Sequence, residues 1–297
     1  MAVETGFRPY GISLERVDRV AYALEYVGLD GVFSVEEGLD PQYPAVRGLT
    51  GIVGEPAGVL YSMLVALVSY RLAMKGEEWW SCFNRLLSSR WRSRGPASSI
   101  RDIVNDVIWF LSECPGASVR RDAKVRRIRT VQYRARRLLE RIYSDPEVIL
   151  REPDMVLERL ARALQVEVWR KTIVFSLKMG YYALGGPERR VPLRASIPIP
   201  VDVRVSCLTY TSGIVEASSP DEVLRYPTTA QEAWGMVASL SGIPPIHIDS
   251  LLWPVGGQVR GLDINDARRR VAATFLKVLP LDASSMLAEE LVWRECP

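Results

Sequence analysis

Lys171, Phe175 and Lys178 fall at i, i+4 and i+7, a spacing that sets all three on one face of a helix. Their segment, KTIVFSLKMGYYAL, is otherwise apolar, and it holds two of only five lysines in a chain with 33 arginines. On spacing alone two readings stand. Both ammonium groups can snorkel to water along their stems. Alternatively, burial and the partial positive charge of a helix N-terminus disfavour the charged amine, and a neutral amine can then attack carbon to form a Schiff base. Asp202 follows the stiff run IPIPV and opens a helical pattern. It reads as an N-cap, and the backbone N–H groups a cap accepts also keep a carboxylate ionised, ready to face a developing cation.

In GIPPIHIDSLLW, Asp249 and Trp253 are i, i+4 on a short helix started by proline and stopped by Pro254. They supply an acceptor and a flat aromatic face. Trp80 supplies a second indole, and Gln42 an amide that both donates and accepts. Each of these alone is as readily core or surface. Together they are what an extruded purine requires: flat faces for stacking, with donors and acceptors for its edge.

Between Arg120 and Arg141 lie ten Arg or Lys against Asp122 and Glu140. A solvated face is the ordinary reading of such a run. In a chain whose net charge is only +3, so local an excess also suits nucleic-acid phosphate, with Arg126, Arg127 and Arg129 as candidate backbone contacts. Four scattered cysteines (Cys82, Cys114, Cys207 and Cys296) and the single His247 offer no metal spacing, so neither a metal nor a cofactor is expected. The same scatter predicts reduced thiols in an intracellular protein. The start MAVETGFRPY has no signal-peptide pattern. The apolar stretch Ala57 to Met74 contains Ser62, Ser69, Tyr70 and Arg71, and it reads as a buried helix rather than a membrane span.

The elements that must hold these residues are helices. Periodicity near 3.6 recurs, and alternating runs are nearly absent. Ser13 and Gly28 bracket one amphipathic helix; the core helix covers about 56–73; KGEE reads as a turn. Residues 88–99 (SSRWRSRGPASS) read as an inserted loop and Ile100 to Leu111 as a helix. A basic helix spans 119–143, and a helix from about 169 to 184 ends at Gly185 and Gly186, before a proline-rich loop over 187–201. Later helices cover 202–211, 220–226, 229–240 and Pro244 to Trp253. The tail from 263 is helical and reads as a C-terminal extension. The class is all-α: one unit over 1–297 made of two lobes.

Four blocks, LVSYRLAMKGEEWW, WRKTIVFSLK, IPIPVDVRVSCLT and GIPPIHIDSLLW, resemble in order the archaeal 8-oxoguanine DNA glycosylases. These form a divergent branch of the helix-hairpin-helix glycosylase superfamily, and the resemblance runs from about Asp40 to Trp253. It implies two helical lobes with the active site in the cleft between them. It implies excision of 8-oxoguanine from DNA, duplex or single-stranded, by a monomer at the nucleoid, through a lysine Schiff base and β-elimination. By position, Lys171 matches the Schiff-base lysine and Asp202 the essential aspartate; Gln42, Trp80, Phe175, Lys178, Asp249 and Trp253 match the lining of the base pocket. The stretch LARALQVEVWRK departs from the superfamily hairpin in having no glycine. From another class, a helical DNA-binding module without enzymatic activity needs the basic helix but no neutral lysine.

Overall fold

The computed structural model describes residues 9–184, 191–194 and 196–297. Among them the chain forms sixteen α-helices and one 3-10 turn, with two isolated β-bridges and no strand. The all-α reading holds. The helix stop expected at Gly185 and Gly186, and the first part of the 187–201 loop, lie outside the described residues. The chain divides into two units: Met1–Asp40 with Arg194–Pro297 is unit 1, and Pro41–Leu193 is unit 2.

Helix α1 (Leu14–Leu39) belongs to unit 1. Ser13 stands at its N-cap without a side-chain cap bond; its N–H instead donates to the Ile214 carbonyl at 3.0 Å. Gly28 interrupts the helix as expected, at φ 67° and ψ 170°, where a side chain would be strained. The chain then resumes as helix, so that Val17, Val20 and Leu24 are buried before the break and Val32, Phe33 and Glu36 after it.

Unit 2 holds α2 (Gln42–Val53), α3 (Glu55–Leu67), α4 (Gly76–Arg94), α5 (Ile100–Glu113), the 3-10 turn Pro115–Ala117, α6 (Arg121–Arg134), α7 (Arg136–Ser144), α8 (Val148–Arg151), α9 (Pro153–Leu164) and α10 (Lys171–Leu184). Every residue of α3 from Ala57 to Leu67 is buried, as an all-apolar helix must be. No helix among the described residues is long and apolar enough to cross a membrane. Helix α10 lies along α3. The Ser176 hydroxyl donates to the Met63 carbonyl at 3.0 Å, and at Gly180 a Cβ would come within 2.8 Å of Met63. The Met63 side chain fills the space a Cβ at position 180 would take.

Several expectations change here. KGEE, read as a turn, opens α4: the Glu78 carboxylate accepts the Lys75 backbone N–H at 3.3 Å, and two glutamates in the first turn suit the helix dipole. Residues 88–94 are helix rather than inserted loop. They continue α4 because Arg90 and Arg94 reach the buried Asp106 of α5 at 2.7 and 2.8 Å, and only 95–99 form a loop, after Gly95 at φ 84°. Asp106 also accepts the Tyr61 hydroxyl at 2.8 Å; burial, followed by the carboxylate, raises the pKa of that phenol. The basic helix is two helices, α6 and α7, separated at Ala135 (φ −109°, ψ 19°). Neither proline nor glycine marks that break in the sequence.

The cysteines, expected to be reduced thiols, are paired. Cys82 of α4 joins Cys114 at the end of α5, and Cys207 joins Cys296, with Cα separations of 6.4 and 6.1 Å. Those pairs are 32 and 89 residues apart in sequence. Pairing is set by approach in space, which spacing along the chain does not report.

Unit 1 continues with α11 (Val203–Thr211), α12 (Pro220–Arg225), α13 (Pro227–Ser241), α14 (Pro245–Gly256), α15 (Ile264–Phe275) and α16 (Leu281–Leu291). Val271, Phe275, Leu287 and Leu291 from the tail join Val17, Leu24 and Trp234 in the core. Arg16 ties α1 to α16 through Glu290 at 2.8 Å.

Candidate active site

In unit 2 the lysine helix begins at Lys171 itself, which is half-buried at the first position of α10. The preceding hairpin forms without glycine. Gln165 takes the left-handed conformation (φ 54°, ψ 49°) that ends α9. The Val166 N–H reaches back to the Ala161 carbonyl at 3.1 Å and the Gln165 N–H to Arg162 at 3.3 Å, a Schellman closure.

One turn after Lys171, the half-buried Phe175 meets Trp80 of α4 edge to face, centroids 5.9 Å apart. One turn further, Lys178 is 1 % exposed, with its ammonium 5.4 Å from the centre of the Tyr182 ring. Snorkelling to solvent is thereby excluded for Lys178. Gln42 opens α2 and is buried; its neighbour Tyr43 packs edge-on against Tyr182 at 5.3 Å. The third turn of α10 and the start of α2 therefore share one aromatic contact, so Gln42 and Trp80 come from elements that touch α10, which itself carries Phe175 and Lys178.

The three arginines of α6 separate. Arg126 and Arg129 are exposed. Arg127 is turned inward: it donates to the Thr172 hydroxyl at 2.8 Å and lies 5.9 Å from the Tyr70 ring centre. Burial lowers its pKa. It thus braces the first turn of α10, next to Lys171, and is not on the exposed basic face. The next helix turn back carries Lys124, which is fully buried between the rings of Tyr70 and Trp79 at 5.6 and 5.8 Å.

In unit 1 Asp202 is the N-cap of α11, as read from the sequence. Its Oδ1 accepts the backbone N–H of Arg204 at 2.9 Å and of Val205 at 3.0 Å. Two N–H donors at a helix N-terminus fix the direction of the carboxylate. Helix α14 carries Asp249 (3 % exposed) and Trp253 (8 % exposed) one turn apart. It does not stop at Pro254 but runs to Gly256, the proline costing it one backbone bond.

Sequence reasoning missed what holds α14. His247 Nδ1 and the Ser250 hydroxyl both meet Glu36 Oε1 of α1 at 2.8 Å, all three residues being buried. Arg204 lies over Trp253, its guanidinium carbon 3.8 Å from the ring centre. The lone histidine was a visible signal for the first contact; the second had none beyond an arginine two residues after Asp202. No group of three or more His, Cys, Asp or Glu able to hold a metal is found among the described residues.

A family model for N-glycosylase/DNA lyases of the AGOG type matches residues 21–288. The chain is 44% identical over 283 residues to an N-glycosylase/DNA lyase of Aeropyrum pernix, covering 95% of this chain and 97% of that one. An N-glycosylase/DNA lyase of Pyrobaculum aerophilum is 32% identical, with 88% and 94% covered. The crystal structure of an 8-oxoguanine DNA glycosylase from Pyrobaculum aerophilum, complexed with 8-oxoguanosine, superposes with a TM-score of 0.73 at 28% identity, covering 96% of this chain and all of that one. The all-helical scaffold agrees with that match, which spans nearly the whole chain, and the protein belongs to the AGOG family of N-glycosylase/DNA lyases.

Proposed function

We propose that this chain excises 8-oxoguanine from DNA, with Lys171 as the nucleophile and Asp202 as the carboxylate that serves it. The observation that carries the assignment is the placement of Lys171 at the first residue of α10, on the face that also bears Phe175 and the buried Lys178. In this reading the damaged nucleotide leaves the stack and its base rests on Trp253 and Phe175, with Trp80 beside them. Gln42, Lys178 and Asp249 read its polar edge. 8-Oxoguanine carries a proton on N7 where guanine carries a lone pair, so an acceptor facing N7 discriminates between them.

Nζ of Lys171 attacks C1′. The C1′–N bond breaks as the C1′–Nζ bond forms, and the base departs after gaining a proton. Asp202 stabilises the electron-poor sugar and accepts a proton from the lysine nitrogen. Ring opening leaves an imine between Nζ and C1′. Loss of a C2′ proton then expels the 3′ phosphate and cuts the strand on that side. Both duplex and single-stranded DNA serve as substrate, the protein works as a monomer, and its place of action is the cytoplasm, at the nucleoid.

Borohydride trapping on a duplex containing 8-oxoguanine tests the assignment, because only an imine is reduced to a stable protein–DNA adduct. Lys171→Gln is expected to abolish base release and trapping while retaining binding to the damaged duplex. Lys178→Gln is expected to lose preference over guanine yet still trap. Asp202→Asn is expected to lose most activity with its helical circular dichroism intact. Trapping by Lys171→Gln together with none by Lys178→Gln would reverse the roles of the two lysines.

A further inference from the structure

We propose that Arg204 is the positioning residue of the base pocket: it backs one face of Trp253 and leaves the opposite face for the base. This rests on the reading of Trp253 as the stacking platform. Arg204 is the second residue of α11, and three contacts join it to the two residues that matter in unit 1. Its backbone N–H donates to Asp202 Oδ1 at 2.9 Å. Its guanidinium carbon sits over the Trp253 ring, 3.8 Å from its centre, well inside cation–π range. Its Nη1 donates to the Trp253 carbonyl at 3.3 Å. The side chain therefore holds both the ring of Trp253 and the backbone that carries it.

The two helices come this close because residue 256 is glycine. A Cβ there would lie 2.7 Å from the Arg204 carbonyl oxygen and 2.9 Å from the Arg204 Cβ. One short segment, 202–204, thus sets the direction of the carboxylate through backbone bonds and the plane of the indole through a side chain.

An indole has two faces, and a flat cation on one of them leaves a single stacking surface. A ring that would otherwise rotate about its side-chain torsions is held ready, so less ordering remains to be done when a base arrives. Arginine suits the role by being planar and always charged. Lysine keeps the charge but cannot cover the ring.

The test uses the full chain with Arg204→Met, Arg204→Lys and Trp253→Ala. Two quantities are compared: calorimetric affinity for the nucleoside 8-oxoguanosine, and lyase turnover on a duplex with an abasic site, which has no base to stack. Arg204→Met is expected to weaken nucleoside binding about tenfold, the scale of one buried cation–π contact. That loss should exceed its loss in lyase turnover by about the same factor, because any residue at 204 other than proline supplies the backbone N–H to Asp202. Arg204→Lys should fall between wild type and Arg204→Met, and it serves as the folded comparison if the methionine variant melts early. Equal losses in both assays would mean that Arg204 merely supports α11, and the proposal fails. If Arg204→Met binds the nucleoside as wild type while Trp253→Ala does not, Arg204 has no part in the pocket although Trp253 does. If Trp253→Ala also binds normally, the stacking platform itself is misassigned and the proposal falls with it.

Discussion

Lys124 shows how a single residue's surroundings decide its chemistry. In the sequence it is one of ten cations in a basic run; in the structure it is fully buried, with the Arg71 carbonyl at 3.5 Å and two aromatic rings around it. Burial, and secondarily Arg121, lowers its pKa. The folded state therefore disfavours the charged amine more than the unfolded chain does. The resulting penalty is absent above the unfolded pKa of about 10.4 and grows as pH falls from there towards the lowered folded value. Lys124→Met keeps the stem and removes the charge. It should leave thermal stability at pH 7 equal to or above that of wild type, and it should flatten the rise in stability of the wild type between neutral and strongly alkaline pH. Melting both proteins across that range checks this; a large loss of stability at pH 7 would show that the ammonium is needed where it sits.

At the scale of the element, α6 has two sides with different work. Arg126 and Arg129 project from its exposed face, whereas Arg127 turns onto Thr172 of α10. Changing Arg126 and Arg129 together to Ala should weaken binding to any duplex and lower the slope of log affinity against log salt by about 2, roughly 0.9 for each phosphate contact removed. An unchanged slope would mark the face as merely solvated. Arg127→Met should leave that slope alone. Its expected cost is about 1–2 kcal/mol in stability, from a lost, partly buried hydrogen bond. It should also slow borohydride trapping, since the turn that starts at Lys171 loses its brace. Denaturant titration beside salt-dependent binding separates these effects.

At the scale of the whole molecule, each unit carries its own disulfide, Cys82–Cys114 in unit 2 and Cys207–Cys296 in unit 1. The second closes an 89-residue separation and ties α11 to the end of the chain. Cross-links of this kind stabilise by about 2–4 kcal/mol, chiefly by restricting the unfolded chain. Replacing Cys207 and Cys296 with Ser should therefore lower the melting temperature of the oxidised protein by several degrees, and reductant should do the same to wild type. Thiol titration of protein denatured without reductant should find no free thiol. Four titratable thiols there, with a melting point indifferent to reductant, would exclude the pairing. Paired cysteines do not require an extracellular setting, because intracellular proteins of hyperthermophilic archaea are an exception to the usual scarcity of disulfides.

Local signals were enough for the class and for most of the site-bearing elements. The 3.6-residue period, the cap at Asp202, the stop at Gly28 and the face shared by Lys171, Phe175 and Lys178 each involve residues within a few positions of one another, where steric and hydrogen-bonding rules act directly. The start of α10 was legible to within two residues, about 169 in the sequence against Lys171 in the structure. What tertiary structure alone decided lies between residues distant in sequence: Arg127 with Thr172 across 45 positions, Arg204 with Trp253 across 49, and Glu36 with His247 across 211. An arginine's composition is the same whether its head lies in water, on a hydroxyl or on an indole. Which of these it meets depends on the packing of whole helices, and that packing is what set Arg127 on Thr172 and Arg204 on Trp253.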